Sequence, residues 1–434
     1  MIFRVYRFTR KSYIGNVTKG TNYKGTLQMK IDVKKYNIDA LNCGMELCKK
    51  IRSFGHEAYI VGGCVRDLVR CELGQTSWPD KMTYMSEAFH DIDIATNMPI
   101  EAIKENFRTE SNNGEAHGTI LVFYGMGDPF EVTQFRLDGN YSDNRHPDSV
   151  EFTRSFAEDC KRRDFTMNAL GMDYDGNIID TVGGVDDIEH RLIKTVGDPD
   201  QRFREDALRI VRGVRFSVNF DYVISMETKI AMRDNADLLR KVSVERFRKE
   251  IDSLYKKNLG FQIFLNYLQR LGLKEHIPTF DSIEWHKLYD IALRSPRLCD
   301  QVYAVMLYAA SDFEKAANEI VATRDDKRLA KFYLSWDKKM DSEKAGRMVS
   351  WADMVDFVDG DYDQFITMQD QREVPARWLT MIPIAIRLLR SYQVDQKKIS
   401  EQVEKMGIAP GPQFGAEVRK KVEAYYNTVA SFFI

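Results

Sequence analysis

Two carboxylates stand two residues apart in the run His90-Asp91-Ile92-Asp93-Ile94-Ala95-Thr96. Its period-two alternation predicts a strand with Asp91 and Asp93 on one face and Ile92 and Ile94 on the other. Like charges held side by side repel, so the pair makes chemical sense with a divalent cation between them. Oxygen-only ligands favour magnesium or manganese. Upstream, Tyr59–Val61 is a short apolar run that reads as a buried strand, stopped by Gly62-Gly63. Two glycines let the backbone turn tightly against something bulky. Val65–Arg70 can then open a helix whose N–H groups face that turn, a place suited to phosphate. Taken singly, a Gly-Gly turn or an Asp-x-Asp is more often a plain turn or a solvated strand edge, so the rest of the chain must supply the context.

The elements around these residues follow from periodicity. Ile38–Phe54 carries Leu41, Met45, Leu47 and Ile51 near helical spacing and predicts a helix before the first strand. Residues 73–90, with Trp78-Pro79, read as a surface insertion. Asn97 is expected to cap a helix that has Pro99 near its first turn and Ile100, Ile103 and Phe107 on its buried side. Thr119–Tyr124 and Phe130–Phe135 predict a strand pair joined through Gly125–Pro129. Glu131 shares a face with Thr133 and Phe135, and is either a third carboxylate beside the aspartates or an exposed strand residue. Residues 137–150 are dense in turn formers and too long for a hairpin, which suggests a functional loop. Glu158–Leu170 is read as helical. Its Arg162-Arg163-Asp164 is a solvated charge run or, beside a phosphate site, a set of guanidinium and carboxylate ligands for triphosphate and ribose. Phe203–Val218 predicts a helix with Ala207, Ile210, Val211 and Val214 on one side and Asp206, Arg209, Arg212 and Gly213 on the other.

At 434 residues the chain exceeds one compact core, and two to four domains are expected. A net charge of −2 leaves nucleic-acid binding to local basic faces. The six cysteines form no C-x-x-C pair, so reduced thiols in a cytoplasmic protein are expected and a zinc site is not. No run is apolar and long enough to span a bilayer. The first thirty residues are basic and lack acids, which fits a mitochondrial presequence, a basic extension, or a start at Met29.

With the order of its motifs in view, the chain resembles a known family. Gly-Gly-x-x-Arg-Asp at 62–67, Asp-x-Asp at 91–93, Arg-Arg-Asp-Phe-Thr at 162–166 and Glu-Asp-Ala-Leu-Arg at 205–209 are similar to the ordered motifs of class II tRNA nucleotidyltransferases, the CCA-adding enzymes. Gly183-Gly184 and Val244-Glu245-Arg246 match the same family, and the similarity runs from about Ile38 to Leu254. The resemblance implies an α+β protein: a polymerase-beta-like nucleotidyltransferase head of mixed sheet and helices, then an all-helical neck, body and tail. The expected boundaries are an extension at 1–37, head 38–183, neck 184–254, body 255–340 and tail 341–434. Phe261–Leu271, Val302–Ala310, Trp378–Leu389 and Phe414–Phe433 read as helices of the last two.

The implied activity is template-independent addition of C, C and A to a tRNA 3′ end from CTP and ATP, with Mg²⁺ on Asp91 and Asp93. One of these carboxylates, or Glu131, takes the primer's proton. Gly62, Gly63, Arg66 and Arg163 are implied to hold the triphosphate, and Asp164 the ribose 2′-OH. Asp206 and Arg209 read the base, with Arg212 and Arg215 completing the nucleotide contacts. The tRNA partner is expected along Arg240, Lys241, Arg246, Arg248 and Lys249 and on the tail, where Lys420 and Lys421 are phosphate contacts or a solvated face. A bacterial poly(A) polymerase, a partial CC- or A-adding enzyme, and a non-catalytic tRNA-binding protein are the alternatives. Monomer and dimer both stay open.

Overall fold

The computed structural model describes residues 20–21, 27–36, 38–75, 92–111, 114–125, 127–139, 141, 147–254, 257–294, 301–331, 334 and 395–430. Asp91, most of the 73–90 insertion, Trp378–Leu389 and the expected boundary at Asp341 lie outside them. Two compact units emerge: Met1–Ser253 with Tyr267–His276, and Leu254–Asn266 with Ile277–Ile434.

The first unit holds a mixed sheet made from β1 (Ala58–Val61), β2 (Asp93–Thr96), β3 (Arg108–Glu110), β4 (Thr119–Phe123) and β5 (Phe130–Gln134), with β8 (Leu170–Met172) and β9 (Ile178–Asp180) at one edge. The spatial order is β9-β8-β1-β2-β5-β4-β3. The β2–β5 pair is parallel and the other neighbours run antiparallel. Alternation explains the two faces. Ile60, Ile92 and Phe130 pack toward α1 (Asp39–Ser53), close around Gly44. Tyr59, Val61 and Ala95 face a core with Phe135, Phe156 and Cys160, where the Tyr59 and Phe156 rings lie 4.8 Å apart. The 119–135 pair forms as expected. The parallel register of β5 on β2 sets Asp93 opposite Glu131.

Five local expectations are corrected. Asn97 does not cap α3 (Ile100–Asn106): its side chain accepts the Glu57 N–H at 2.8 Å, and Pro99 occupies the cap position. Residues 137–150 do close a hairpin, because β6 (Arg136–Asp138) and β7 (Val150–Phe152) pair antiparallel at its base. The helix expected through Leu170 is only α4 (Phe156–Lys161). Phe165 then takes an extended conformation and bridges to Thr195, which its full burial favours. The helix expected over Phe203–Val218 is two, α6 (Pro199–Glu205) and α7 (Leu208–Phe220), with Asp206 extended between them. An Asp side chain competes for backbone donors, and Asp206 accepts the Leu208 N–H at 3.1 Å. Gly213 is not on the outward face either, because a Cβ there would come within 2.4 Å of Met232 and 3.0 Å of Phe165.

Between sheet and neck, the Asp180 carboxylate accepts the N–H groups of Val182, Gly183, Gly184 and Val185, which starts α5 (Gly184–Glu189). Gly183 has φ 83°, the left-handed region where glycine carries no Cβ penalty. Beyond it come α8 (Met226–Asp234) and α9 (Val244–Asp252). The second unit is helical where described, including Trp285–Arg294, Val302–Tyr308, Phe313–Glu319, Gln396–Glu404 and Pro412–Ala430. The helix at Lys257–Arg270 spans both units. No helix among the described residues is long and apolar enough to cross a membrane.

Candidate active site

The site begins where β1 ends. Val61 stands opposite Asp93, and Gly62 follows with φ 77°. A Cβ on Gly62 would lie 3.2 Å from Asp93 Oδ2, so glycine is required both by backbone conformation and by the nearby carboxylate. Gly63 is the first residue of α2 (Gly63–Glu72), with its N–H among those at the helix start. Asp93 is half-buried at the start of β2, and Glu131 is exposed beside it on β5. Among the described residues, no group of three or more His, Cys, Asp or Glu side chains gathers as a metal centre. Asp91 lies outside the described residues, and Asp93 and Glu131 present carboxylate oxygens only, a donor set that suits a hard cation.

Behind the turn, Arg66 is almost fully buried and already engaged. It donates to Asp67 at 2.8 and 3.1 Å and to Asn168 Oδ1 at 2.8 Å. Burial alone would push the Asp67 carboxyl up, but Arg66 and Arg70 outweigh it and hold the pKa below the usual value. Arg163 donates to Asp159, at 3.0 Å for its Nη2. The fully buried Asp159 also takes Arg162 at 2.8 Å.

Asp164 is saturated by protein donors. Its Oδ1 accepts from the Phe165 N–H at 2.7 Å and Asn168 at 3.1 Å, and its Oδ2 from Arg212 at 2.7 and 2.8 Å. Burial pushes this carboxyl up, yet Arg212 and Asn168 bring it down to about 2. Arg212 feels the reverse: burial would discharge it, and Asp164 and Glu250 keep its pKa raised. Glu250 also accepts from Arg215 at 2.6 Å.

Each member of the expected base-reading pair is bound by a further residue. Asp206 is bound by Arg246 in bidentate fashion, at 2.7 and 3.1 Å. Arg209 donates to Glu205 at 2.6 Å and to the carbonyls of Arg202 and Arg162 at 3.1 and 2.9 Å. The Glu205–Arg209 pair has i,i+4 spacing, a signal present in the sequence. Arg246, expected on the tRNA face, donates to Asp206, and Arg240 donates to the Glu275 carbonyl. Glu250 has no local sequence signal, because its partner Arg215 lies 35 residues away. Asp159, by contrast, meets Arg162 and Arg163 at i,i+3 and i,i+4, and Asn168 meets Asp164 at i,i+4, spacings present in the sequence. The geometry thus joins Gly62, Asp93 and Glu131 at one end. Arg66, Asn168, Asp164, Arg212, Glu250 and Arg215 form one continuous polar chain leading to the neck helices.

Comparison with known proteins gives this arrangement a family. Residues 58–194 match the family described as the Poly A polymerase head domain, and 221–283 that described as a probable RNA and SrmB-binding site of polymerase A. The chain is 35% identical over 330 residues to the CCA-adding enzyme of Lactobacillus helveticus (strain DPC 4571), covering 74% of each protein. It is 44% identical over 232 residues to that of Limosilactobacillus reuteri (strain DSM 20016), about half of either chain, 53% and 51%. Its fold is similar to the crystal structure of the Bacillus stearothermophilus CCA-adding enzyme in complex with CTP, with a TM-score of 0.67 at 27% identity over 91% of this chain and 93% of that one. On the sequence relation, the ordered motifs and the shared fold, this chain belongs to the class II CCA-adding enzymes, nucleotidyltransferases with a poly(A)-polymerase-type head.

Proposed function

We propose that the chain adds C, C and A stepwise to the 3′ end of tRNA, using CTP and ATP and releasing pyrophosphate. The observation that carries this reading is the register that sets Asp93 opposite Glu131 beside the Gly62 turn, continuous through Asp164 and Arg212 with the neck. Asp93, with Asp91, would hold Mg²⁺, which supplies a lowered pKa for the primer 3′ hydroxyl and neutralises triphosphate charge. Glu131 is exposed on the neighbouring strand and stands ready to take the hydroxyl proton. The Gly62-Gly63 turn and Arg163 receive the triphosphate. Asp164 holds Arg212 against the nucleotide, and Arg215 steadies Glu250 behind it.

Base choice needs an acceptor and a donor at fixed positions. Asp206 accepts from the exocyclic amine of cytosine or adenine, and Arg209 donates to cytosine O2 and N3 or adenine N1. Uracil O4 and guanine O6 place an acceptor against the carboxylate and are rejected. Arg246 and Glu205 hold these two side chains in place. We place the head–neck boundary near Gly183, where the sheet has ended, and the neck's end near Leu254. The tRNA backbone is read by the basic neck surface around Lys241, Arg248 and Lys249, and by Lys420 and Lys421 on the last helix. Free cysteines fit a reducing cytoplasm.

The test is single-round extension of tRNA transcripts ending in –N73, –C, –CC and –CCA with each NTP and Mg²⁺. Two C then one A, stopping at CCA, is the expected result. A ladder of A past CCA would make the enzyme a poly(A) polymerase, extension of one intermediate only a partial enzyme, and binding without extension a tRNA-binding protein. An Asp93→Ala chain that still extends would overturn the metal assignment.

A further inference from the structure

Arg66 and Arg70 lie one turn apart on α2, and both point away from solvent, at 7% and 6% exposure. Asp67 sits between them and pairs with each. Their guanidinium groups lie over rings from the neck. Arg66 lies 4.6 Å from the Phe220 ring centroid and 5.5 Å from Phe216. Arg70 lies 4.1 Å from Phe220 and 5.7 Å from Tyr222. The Phe216 and Phe220 rings are themselves stacked, 5.7 Å apart at an interplanar angle of 10°. From the other side, Arg215 approaches Phe216 at 4.2 Å and Arg212 at 5.4 Å. Phe216 and Phe220 belong to α7, the helix that carries Arg209 and Arg212. Arg66 Nη2 lies 3.3 Å from where a Cβ on Gly63 would stand, so the same guanidinium backs the phosphate-facing turn.

Arg66 and Arg70 share the single Asp67 carboxylate, which leaves the pair with a net positive charge, and each lies over an aromatic ring, out of water, where cation–ring attraction is strongest. Planarity matters, since a lysine ammonium would keep the charge but not the stacked face. The two ends of the stack touch different parts of the reaction. One end supports the turn at Gly62-Gly63, and the other fixes the rotation of α7, and with it Arg209 and Arg212. We propose that this cation–aromatic stack, Arg66 and Arg70 against Phe216 and Phe220, is a positioning device that sets the base-reading helix at a fixed distance and angle from the triphosphate turn. It deepens the functional reading given above and rests on it. Arg66 acts in it as a strut behind the turn rather than as a direct phosphate ligand.

The prediction concerns discrimination, which loss of folding alone does not alter in the molecules that remain folded. Phe220→Leu keeps an apolar side chain but removes the ring that both guanidinium groups approach. Phe220→Tyr keeps the ring, and Arg70→Lys keeps the charge beside Asp67 while removing the plane. Single-turnover incorporation of CMP and UMP into tRNA ending in –N73 is measured well below each variant's unfolding midpoint. Phe220→Leu is expected to lower the CTP-over-UTP preference about tenfold, the scale of losing desolvated cation–ring contacts. Arg70→Lys should lower it several-fold, and Phe220→Tyr should restore it. Preference at the wild-type level in both Phe220→Leu and Arg70→Lys, with only the unfolding midpoint lowered, would overturn the proposal. Should Phe220→Leu fail to fold, Arg70→Lys decides alone. Wild-type protein that incorporates neither nucleotide would instead overturn the functional reading on which the stack's role rests.

Discussion

Replacing Asp164 by Asn removes one charge from a carboxylate with four protein donors around it, and the structure sets the size of the effect. The carboxyl moves from an ordinary 3.8 to about 2 on folding, and at about 1.4 kcal/mol per pKa unit its charged form contributes about 2 kcal/mol of stability. Its folded pKa lies below its unfolded one, so this contribution is complete above the unfolded value and is lost as pH falls through the folded one. The variant has no such titration. Chemical unfolding should therefore separate wild type from Asp164→Asn by about 2 kcal/mol at pH 7, narrowing to about 1 kcal/mol at pH 3. A gap that stays the same at both pH values would refute the electrostatic account. The same variant tests the role of this residue in catalysis. If Asp164 acts by holding Arg212, the KM for CTP rises while CTP stays preferred over dCTP. A collapse of that ribose preference with KM unchanged would return Asp164 to direct contact with the 2′-hydroxyl.

Two other outcomes follow from the geometry. Asp206→Ala should relax C-and-A selectivity toward U and G, and Arg246→Leu should reproduce part of that loss, because it frees the Asp206 carboxylate from its bidentate partner. Misincorporation assays on both variants check this, and unchanged selectivity in Asp206→Ala would sink the base-reading assignment. Gly184→Ala should destabilise the head by about 1–3 kcal/mol, the usual scale of overpacking, because its Cβ would meet the Thr166 carbonyl at 2.2 Å. Thermal unfolding of the variant measures it, and a wild-type midpoint would show that the 166 turn yields.

Much of the site was legible in local pattern. Alternation in Ile92-Asp93-Ile94 is enough to place a carboxylate opposite a buried face, and Gly62-Gly63 marks a turn because only glycine tolerates φ 77° there without strain. The periodic placement of Ala207, Ile210, Val211 and Val214 correctly gave the buried side of α7. The misread boundaries share one cause. Asp206 and Phe165 lie where a side chain's own bond or burial overrides helical propensity, and a periodic pattern does not register either event.

The sequence by itself determined the order of the chemical groups, the faces of the strands and helices, and the family. Those depend on residue types at short spacing, which backbone geometry converts directly into direction. Only the tertiary structure decided which charge answers which. Asp164 is paired with Arg212, Asp206 with Arg246, and Arg215 with Glu250, across separations of 48, 40 and 35 residues. Arg66, which the motif presents as a ligand, lies buried against Phe216 and Phe220 for the same reason. Burial makes an unanswered charge costly, so packing, not spacing, selects the partner, and that choice is made only when the head and the neck helices close on each other.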